Sequence, residues 1–407
     1  MAAVGRGLRA VIMLRALVFL MLVGLLLGCL RAAPSHTSTG RPHQIEVLPS
    51  PAHPTVTHGN RAAPFLGGYF PIMVDGSDSK DFGKWRRRGV NTIIRFPGSE
   101  WTDRWDRAAA ALGMKVIREP SASLSYDNAV PNLLAWSYRD EPEINGSKFN
   151  VALFRQWAAK LRAVNPHRPI FANLAGYAVL EGDQRFPCSL TPQAFGPSCY
   201  GGYVTVADWI SQDIYPANWQ NWQGMDIRAV GRVLEKLKTW SHAKPLFAYQ
   251  EITSTGRGKP APTPDQLRFE VWDGIVHGAR GIAYWDYSGG SLHANDGTAP
   301  EVVTRMTAID SLITRLAPAL QSEVNPKHLR VTVTKPLEAG WRSTPRGDYV
   351  IVANSSPRRL RARVNIQGAR RVSSLSVVGE NRRVGMAKSE LIQDNFDPLA
   401  VHIYSTS

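Results

Sequence analysis

The chain predicts a (β/α)8 barrel of the TIM type followed by a small antiparallel β-sandwich. Three observations predict it. Between residues 64 and 325, short apolar runs alternate eight times with amphipathic helical stretches, the pattern of a parallel sheet wrapped by helices. No Gly-rich phosphate loop follows the first run, which argues against a doubly wound open sheet. After about Asn325 the helical stretches stop, and short alternating strands between turn residues take over.

The eight alternations read in order. Pro64 to Val74 opens the barrel as a strand, followed by a helix carrying Phe82 and Trp85. Gly89 to Arg95 is the second strand, Trp101 to Leu112 a helix and Met114 to Glu119 the third strand. Leu133 to Trp136 is the fourth, cut off by Asp140-Glu141-Pro142, because proline cannot continue a central ladder. Ser147 is the expected cap of the next helix, where Phe154, Trp157, Ala158, Leu161 and Val164 fall on one face. Pro169 to Asn173 is strand five, Asp208 to Tyr215 strand six, and Ile227 to Trp240 a helix. Leu246 to Glu251 is strand seven. Thr263-Pro264-Asp265-Gln266 starts a helix with a threonine cap, a proline at the first helical position and a glutamine completing a capping box. Gly281 to Asp286 is strand eight, and Glu301 to Leu320 the last long helix. Beyond residue 326, strands are expected at 329–333, 349–353, 362–366, 374–378 and 400–404.

Composition fits this reading. A chain of 407 residues holds one large domain and a small one, and 43% hydrophobic with 20% charged content describes a folded protein. The formal charge is +15; the segment 1–28 carries Arg6, Arg9 and Arg15 and no acid, so its removal leaves +12. Such a surface suits anionic membranes or acidic polymers. No nucleic-acid motif accompanies it, so no nucleic-acid partner is expected. Nothing in the sequence bears on oligomeric state.

Met1 to Arg15 is a basic region and Ala16 to Gly28 an uninterrupted apolar run, too short for a membrane span and matched to a signal peptide. Leu26-Leu27-Gly28-Cys29 resembles the lipobox of bacterial lipoproteins, which implies lipidation of Cys29, a lipid anchor in the membrane and an exported, cell-envelope location. A plain secretory signal is the alternative. Residues 29–63, rich in Pro, Ser, Thr and His, read as a flexible tether. In an oxidising compartment Cys188 and Cys199 are expected to pair, closing a short loop worth roughly 3 kcal/mol in the chain-entropy model. No His or Cys pairs stand at ligand spacing, so no metal site is expected.

Two carboxylates end buried strands far apart in sequence: Glu141 after strand four and Glu251 at the end of strand seven. Paired carboxyls across a barrel mouth suit glycosidic bond cleavage, with an oligo- or polysaccharide as substrate and no cofactor. The chain resembles the clan A glycoside hydrolases, retaining enzymes that place the acid/base on strand four and the nucleophile on strand seven. In that clan the acid/base sits in Asn-Glu-Pro; here Asp140-Glu141-Pro142 stands in its place. Residues 394–404 resemble the last strand of the β-domain that many such hydrolases carry. The resemblance spans about residues 64–407. It implies Glu141 as general acid/base, Glu251 as nucleophile, Arg95 near the nucleophile, Tyr215 bonded to Glu251 and Trp285 as the floor of the sugar site.

Asp140 departs from the clan. It would accept from a sugar hydroxyl rather than donate, implying a different sugar or lost activity, and it would raise the Glu141 pKa by like-charge repulsion. Glu119 either touches substrate or pairs with Arg95 or Arg118; Asp213 is a further strand-end acid placed to bind sugar hydroxyls. Trp219 and Trp222 either stack on sugar rings or cap the barrel rim. Two further functional readings stay open: a non-catalytic carbohydrate-binding lipoprotein, and a transglycosidase acting on envelope glycans.

Overall fold

The computed structural model describes residues 65–96, 103–144, 150–181, 197–218, 226–254, 260–286, 297–388 and 390–407. Eight parallel strands close into a barrel in chain order: β1 (Ile72–Asp75), β2 (Thr92–Ile94), β3 (Lys115–Arg118), β4 (Leu133–Ser137), β5 (Ile170–Leu174), β6 (Trp209–Gln212), β7 (Leu246–Glu251) and β8 (Ala279–Trp285). Between and after them run α1 (Phe82–Arg87), α2 (Asp103–Ala111), α3 (Leu124–Ala129), α4 (Val151–Val164), α5 (Gly176–Glu181), α6 (Pro197–Val206), α7 (Ala229–Ser241), α8 (Pro264–Val276) and α9 (Pro300–Leu320). The barrel is the expected one.

Its strands alternate faces. Met73, Ile94, Ile117, Ala135, Phe171 and Phe247 fill the interior with Trp209 and Tyr249, while the intervening residues pack against the helices. The Phe171 and Phe247 rings meet edge to face at 5.5 Å.

The first run departs from expectation. Only its second half is strand; Phe65–Gly68 is a 3-10 turn in which Leu66, Gly67 and Gly68 take positive φ. That turn tucks Phe65 and Leu66 against the interior cluster, with the Phe65 ring edge-on to Trp209 at 5.7 Å. The chain thus plugs the barrel before it enters β1. At α4 the cap is Asn150, whose side chain accepts from the Leu153 amide at 3.0 Å, rather than Ser147, which lies outside the described residues. The expected face of α4 buries Phe154, Ala158 and Leu161, but Val164 is 45% exposed at the frayed end. The capping box of α8 is present as expected.

The C-terminal region has eight strands, not five: β9 (Arg330–Val333), β10 (Leu337–Ser343), β11 (Asp348–Asn354), β12 (Leu360–Gln367), β13 (Ser374–Val377), β14 (Arg382–Gly385), β15 (Leu391–Phe396) and β16 (Val401–Ser405). They form a five-stranded sheet, β10-β11-β16-β13-β14, and a three-stranded one, β15-β12-β9, which share one apolar core. β10, β14 and β15 escape a reading by hydrophobic alternation because they carry too few apolar residues. Residues 394–404 are split between the end of β15 and the start of β16.

Barrel and sandwich are packed as one body. Ile351 of β11 and Ile403 of β16 belong to the same buried cluster as Trp272 and Ile275 of α8. Arg342 of β10 has no exposed surface and donates to the Ile275 carbonyl at 2.9 Å. Beside it, a Cβ on Gly340 would lie 2.6 Å from the Val276 carbonyl oxygen, so only glycine permits this approach.

Candidate active site

Each strand delivers a polar or aromatic side chain to the C-terminal end of the barrel, where active sites of this architecture lie. Asp75 ends β1, Arg95 follows β2, Glu119 follows β3, and Asp140 and Glu141 follow β4. Asn173 lies in β5, Asp213 and Tyr215 follow β6, Glu251 ends β7 and Trp285 ends β8.

Glu141 is the strained member. Its φ is 40°, a conformation rare for a side chain larger than glycine and costly by about 1–3 kcal/mol. The carboxyl is hydrogen-bonded to that of Asp213. Two carboxyls in contact bond only if they hold a proton between them, so Glu141 and Asp213 titrate as a pair. Burial above all, and then the charge of Asp140, push the Glu141 carboxyl up to about 7. Asp213 is raised further by burial and by Glu141 and Asp140. Asp140 is itself raised by burial, although Asn173 Nδ2 donates to its Oδ1 at 2.9 Å and stabilises the anion.

The cluster extends beyond the expected residues. Glu143 is 1% exposed and accepts from the Ala175 amide at 2.5 Å; burial, then the charge of Glu141, push its carboxyl well up. The Tyr249 hydroxyl lies among Asp75, Asp140 and Asp213, and has no hydrogen-bond partner among the described residues. Asp75 is pushed well up by burial and by Asp140, against the opposing charge of Arg95. On the other side of the mouth, Glu119 is raised by burial and held back by Arg139, Arg95 and Arg118. Arg118 does not pair with Glu119 as the sequence allowed. It turns outward, fully buried, and bridges Asp106 and Asp127 at 2.8 Å each.

Glu251 is placed differently. It has no exposed surface; Oε1 accepts from the Asn218 amide at 3.0 Å, and the carboxyl is hydrogen-bonded to that of Glu270 on α8. Glu270 is equally enclosed and is pushed well above the carboxylate range by burial and by Glu251, so it carries the shared proton. Tyr215 makes no bond to Glu251. Its neighbours are Asp213, Tyr249, Asp140 and Glu141, and its ring stacks on Trp285 at 4.9 Å with 12° between planes. Arg95 stands near Asp75 and Glu119, with its guanidinium 5.8 Å from the Trp105 ring.

The mouth therefore gathers Asp140, Glu141, Asp213 and Tyr215, joined by Trp285 through the stack. Trp219, Trp222, Cys29 and Cys188 lie outside the described residues, as does the Cys199 side chain, so the expected lipidation and the Cys188–Cys199 pairing lie outside them too. Sequence reading missed Asp75, Glu143, Asn173, Asn218, Tyr249 and Glu270. Asp75 and Tyr249 had a signal: the first is a lone acid ending an apolar strand, the second lies two residues before Glu251 on the same strand face. Glu270 sits mid-helix and had none. Among the described residues, no group of three or more His, Cys, Asp or Glu could hold a metal ion.

These shifts fix a direction of pH dependence. An unfolded Glu141 releases its proton near 4.5, whereas the folded one keeps it until about 7. Folding stability therefore falls as pH rises across that window, on the order of 3 kcal/mol from this group. His277, between Glu235 at 3.0 Å and Asp273 at 3.4 Å, is raised from 6.5 to about 10 by hydrogen bonds and charge from both, against burial. Its contribution is full below 6.5 and is lost as pH rises through 10. Thermal unfolding across buffers is expected to give the highest Tm at roughly pH 5 and a steady decline toward pH 9. Glu141→Gln should make the part below pH 7 shallower, with the other raised carboxyls of the mouth supplying the remaining slope.

No family model matches the chain, and no curated protein matches it in sequence. Solved structures do resemble it. A catalytic mutant of Gan42B, a GH42 β-galactosidase from G. stearothermophilus, superposes with a TM-score of 0.60 at 10% identity, covering 85% of this chain and 99% of that one. The α-amylase from Geobacillus thermoleovorans complexed with acarbose gives 0.53 at 8% identity, over 83% and 98%. AmyP in complex with maltose gives 0.50 at 8% identity, over 80% and 88%. At such identities the likeness is one of fold: a closed parallel barrel followed by antiparallel sheets.

Proposed function

We propose that this chain is a glycoside hydrolase that cleaves O-glycosidic bonds of an oligo- or polysaccharide at the C-terminal mouth of its barrel. The observation that carries the reading is Glu141, a carboxyl held protonated up to about pH 7 at a strained backbone position, beside a second carboxyl that stores a proton. A general acid needs a pKa near its working pH, and burial with a flanking anion supplies it.

In this reading Glu141 gives its proton to the glycosidic oxygen as the bond to the leaving sugar breaks. Glu251 attacks the anomeric carbon and forms a glycosyl-enzyme ester. Water, deprotonated by Glu141, then displaces Glu251 and restores both groups. The Asn218 amide and Glu270 hold the Glu251 carboxylate in one orientation. Trp285, stacked on Tyr215, offers an aromatic face to a sugar ring, and the Tyr249 hydroxyl offers a donor to its substituents. That an α-amylase complexed with acarbose and a β-galactosidase have folds of this shape supports the reading. The apolar run before Cys29 supports export and lipid anchoring in a bacterial envelope as part of the same proposal.

One observation favours a second reading. Glu251 has no exposed surface, as expected of a carbohydrate-binding barrel without turnover. Incubation with 2-deoxy-2-fluoro glycosyl fluorides followed by peptide mass spectrometry separates the two. A hydrolase is expected to carry the fluorosugar on Glu251 and to lose labelling in Glu251→Gln. An unlabelled protein that still binds glycans, and releases no reducing ends from a polysaccharide panel, would be the binder.

A further inference from the structure

The end of the barrel opposite the mouth has a recess of its own. Helices run antiparallel to the strands in this fold, so the last turns of α9 lie far from Glu141. The Phe65 amide donates to the Gln321 carbonyl there at 2.9 Å, beside the turn that plugs the barrel. Between those turns and the sandwich lies a cavity of about 620 Å³, walled by Arg315, Leu316, Pro318, His328, Arg346 and Tyr349 among others. A second cavity of about 560 Å³ shares Leu316 and Tyr349 with it and continues along β13 and β14 past Arg382 and Arg383. The two form one groove across the junction of barrel and sandwich, of a size that takes several sugar rings.

The groove is cationic in a particular way. Arg382 spends its charge on Asp394 at 2.9 Å and Glu380 at 2.7 Å. Arg315, Arg346 and Arg383 have no carboxylate partner among the described residues. Arg315 donates to the Ser311 hydroxyl at 3.1 Å. Arg383 is fixed by the hydroxyls of Ser374 and Ser376 and the Ser374 carbonyl, at 2.7–2.9 Å. Neutral acceptors orient the Arg315 and Arg383 guanidinium groups without cancelling their charge, which leaves forks suited to carboxylates. Glu323 is the one acidic side chain lining either cavity among the described residues. Tyr349, half-buried where the cavities join, supplies the flat apolar surface on which the face of a sugar rests.

We propose that this groove binds an acidic polysaccharide, a uronate-bearing chain, at a site separate from the catalytic mouth. Carboxylates of successive sugars pair with Arg346, Arg315 and Arg383, and a ring between them lies on Tyr349. The groove would hold the protein on an anionic glycan while the mouth works on a bond elsewhere. Neither Glu141 nor Glu251 enters the argument, so the proposal stands or falls apart from the reaction.

The test uses the full chain with Glu251→Gln, which removes turnover, and isothermal titration with polygalacturonate and with neutral dextran. Binding is expected for polygalacturonate and absent for dextran, and weaker as salt is raised. Arg315→Gln, Arg346→Gln and Arg383→Gln together should weaken it at least about tenfold. A matched triple, Arg87→Gln, Arg104→Gln and Arg232→Gln, removes the same charge from exposed helix positions and should leave affinity within about twofold. Equal losses from the two triples would mean diffuse attraction to a basic protein, and would overturn the proposal. So would undiminished binding by the groove triple, or dextran binding as tightly as polygalacturonate.

Discussion

Replacing Glu141 by glutamine is expected to lower kcat/KM on a natural polysaccharide by about 10²–10⁴-fold, the usual worth of a general acid/base. The loss should depend on the leaving group. An aryl glycoside with a nitrophenolate departs without protonation, so its glycosylation step should survive far better than that of an unactivated sugar. The wild-type profile should fall on the alkaline side near pH 7, because above that Glu141 has lost the proton it must give. In Glu141→Gln that limb should vanish. Asp140→Asn offers the complementary check: removing the neighbouring anion should shift the limb to lower pH while the turnover on aryl glycosides changes little. A limb that stays in place in Glu141→Gln would assign the titration to another group.

The second large effect is expected at the enclosed pair. Glu251 and Glu270 face each other with no cation beside them among the described residues, and Glu270 carries the proton they share. Glutamine has the shape of a protonated glutamate and donates in the same place, so Glu270→Gln should fold and turn over substrate close to wild type. Glu270→Ala instead removes the proton donor from an enclosed carboxylate that keeps its hydrogen bonds to the Asn218 backbone and side chain, and should cost about 3 kcal/mol of stability. Urea unfolding of the two variants checks this directly. The order Gln well above Ala is the signature of a neutral Glu270; equal damage from both would mean that Glu270 is ionised.

The barrel was legible because its signal is repeated. Eight apolar runs broken by helices leave few topologies, and Pro142 marked the end of β4 unaided. The sandwich was legible only where strands carry apolar alternation, as β11 and β16 do. β14, with the sequence Arg-Arg-Val-Gly, holds its place through pairing with β13 and has no pattern to read. At the mouth, Asp140, Glu141 and Asp213 could be found as acids at strand ends. Their partners could not. Glu251 bonds to Glu270 rather than Tyr215 because α8, packed along β7, brings a carboxyl to it, a contact across 19 residues that no local spacing encodes. Asn173 pairs with Asp140 for a similar reason, since neighbouring strands converge at the rim.

Ile351, Ile403 and Arg342 join the sandwich to α8 through an apolar, hydrogen-bonded seam, so the two parts are expected to melt as a single thermodynamic unit. Without residues 326–407 the barrel would present Trp272 and Ile275 to water and leave the Ile275 carbonyl with no guanidinium to accept from. The sandwich is thus part of the barrel's wall. Shortening the chain to its barrel is expected to yield an aggregating fragment rather than a smaller folded domain.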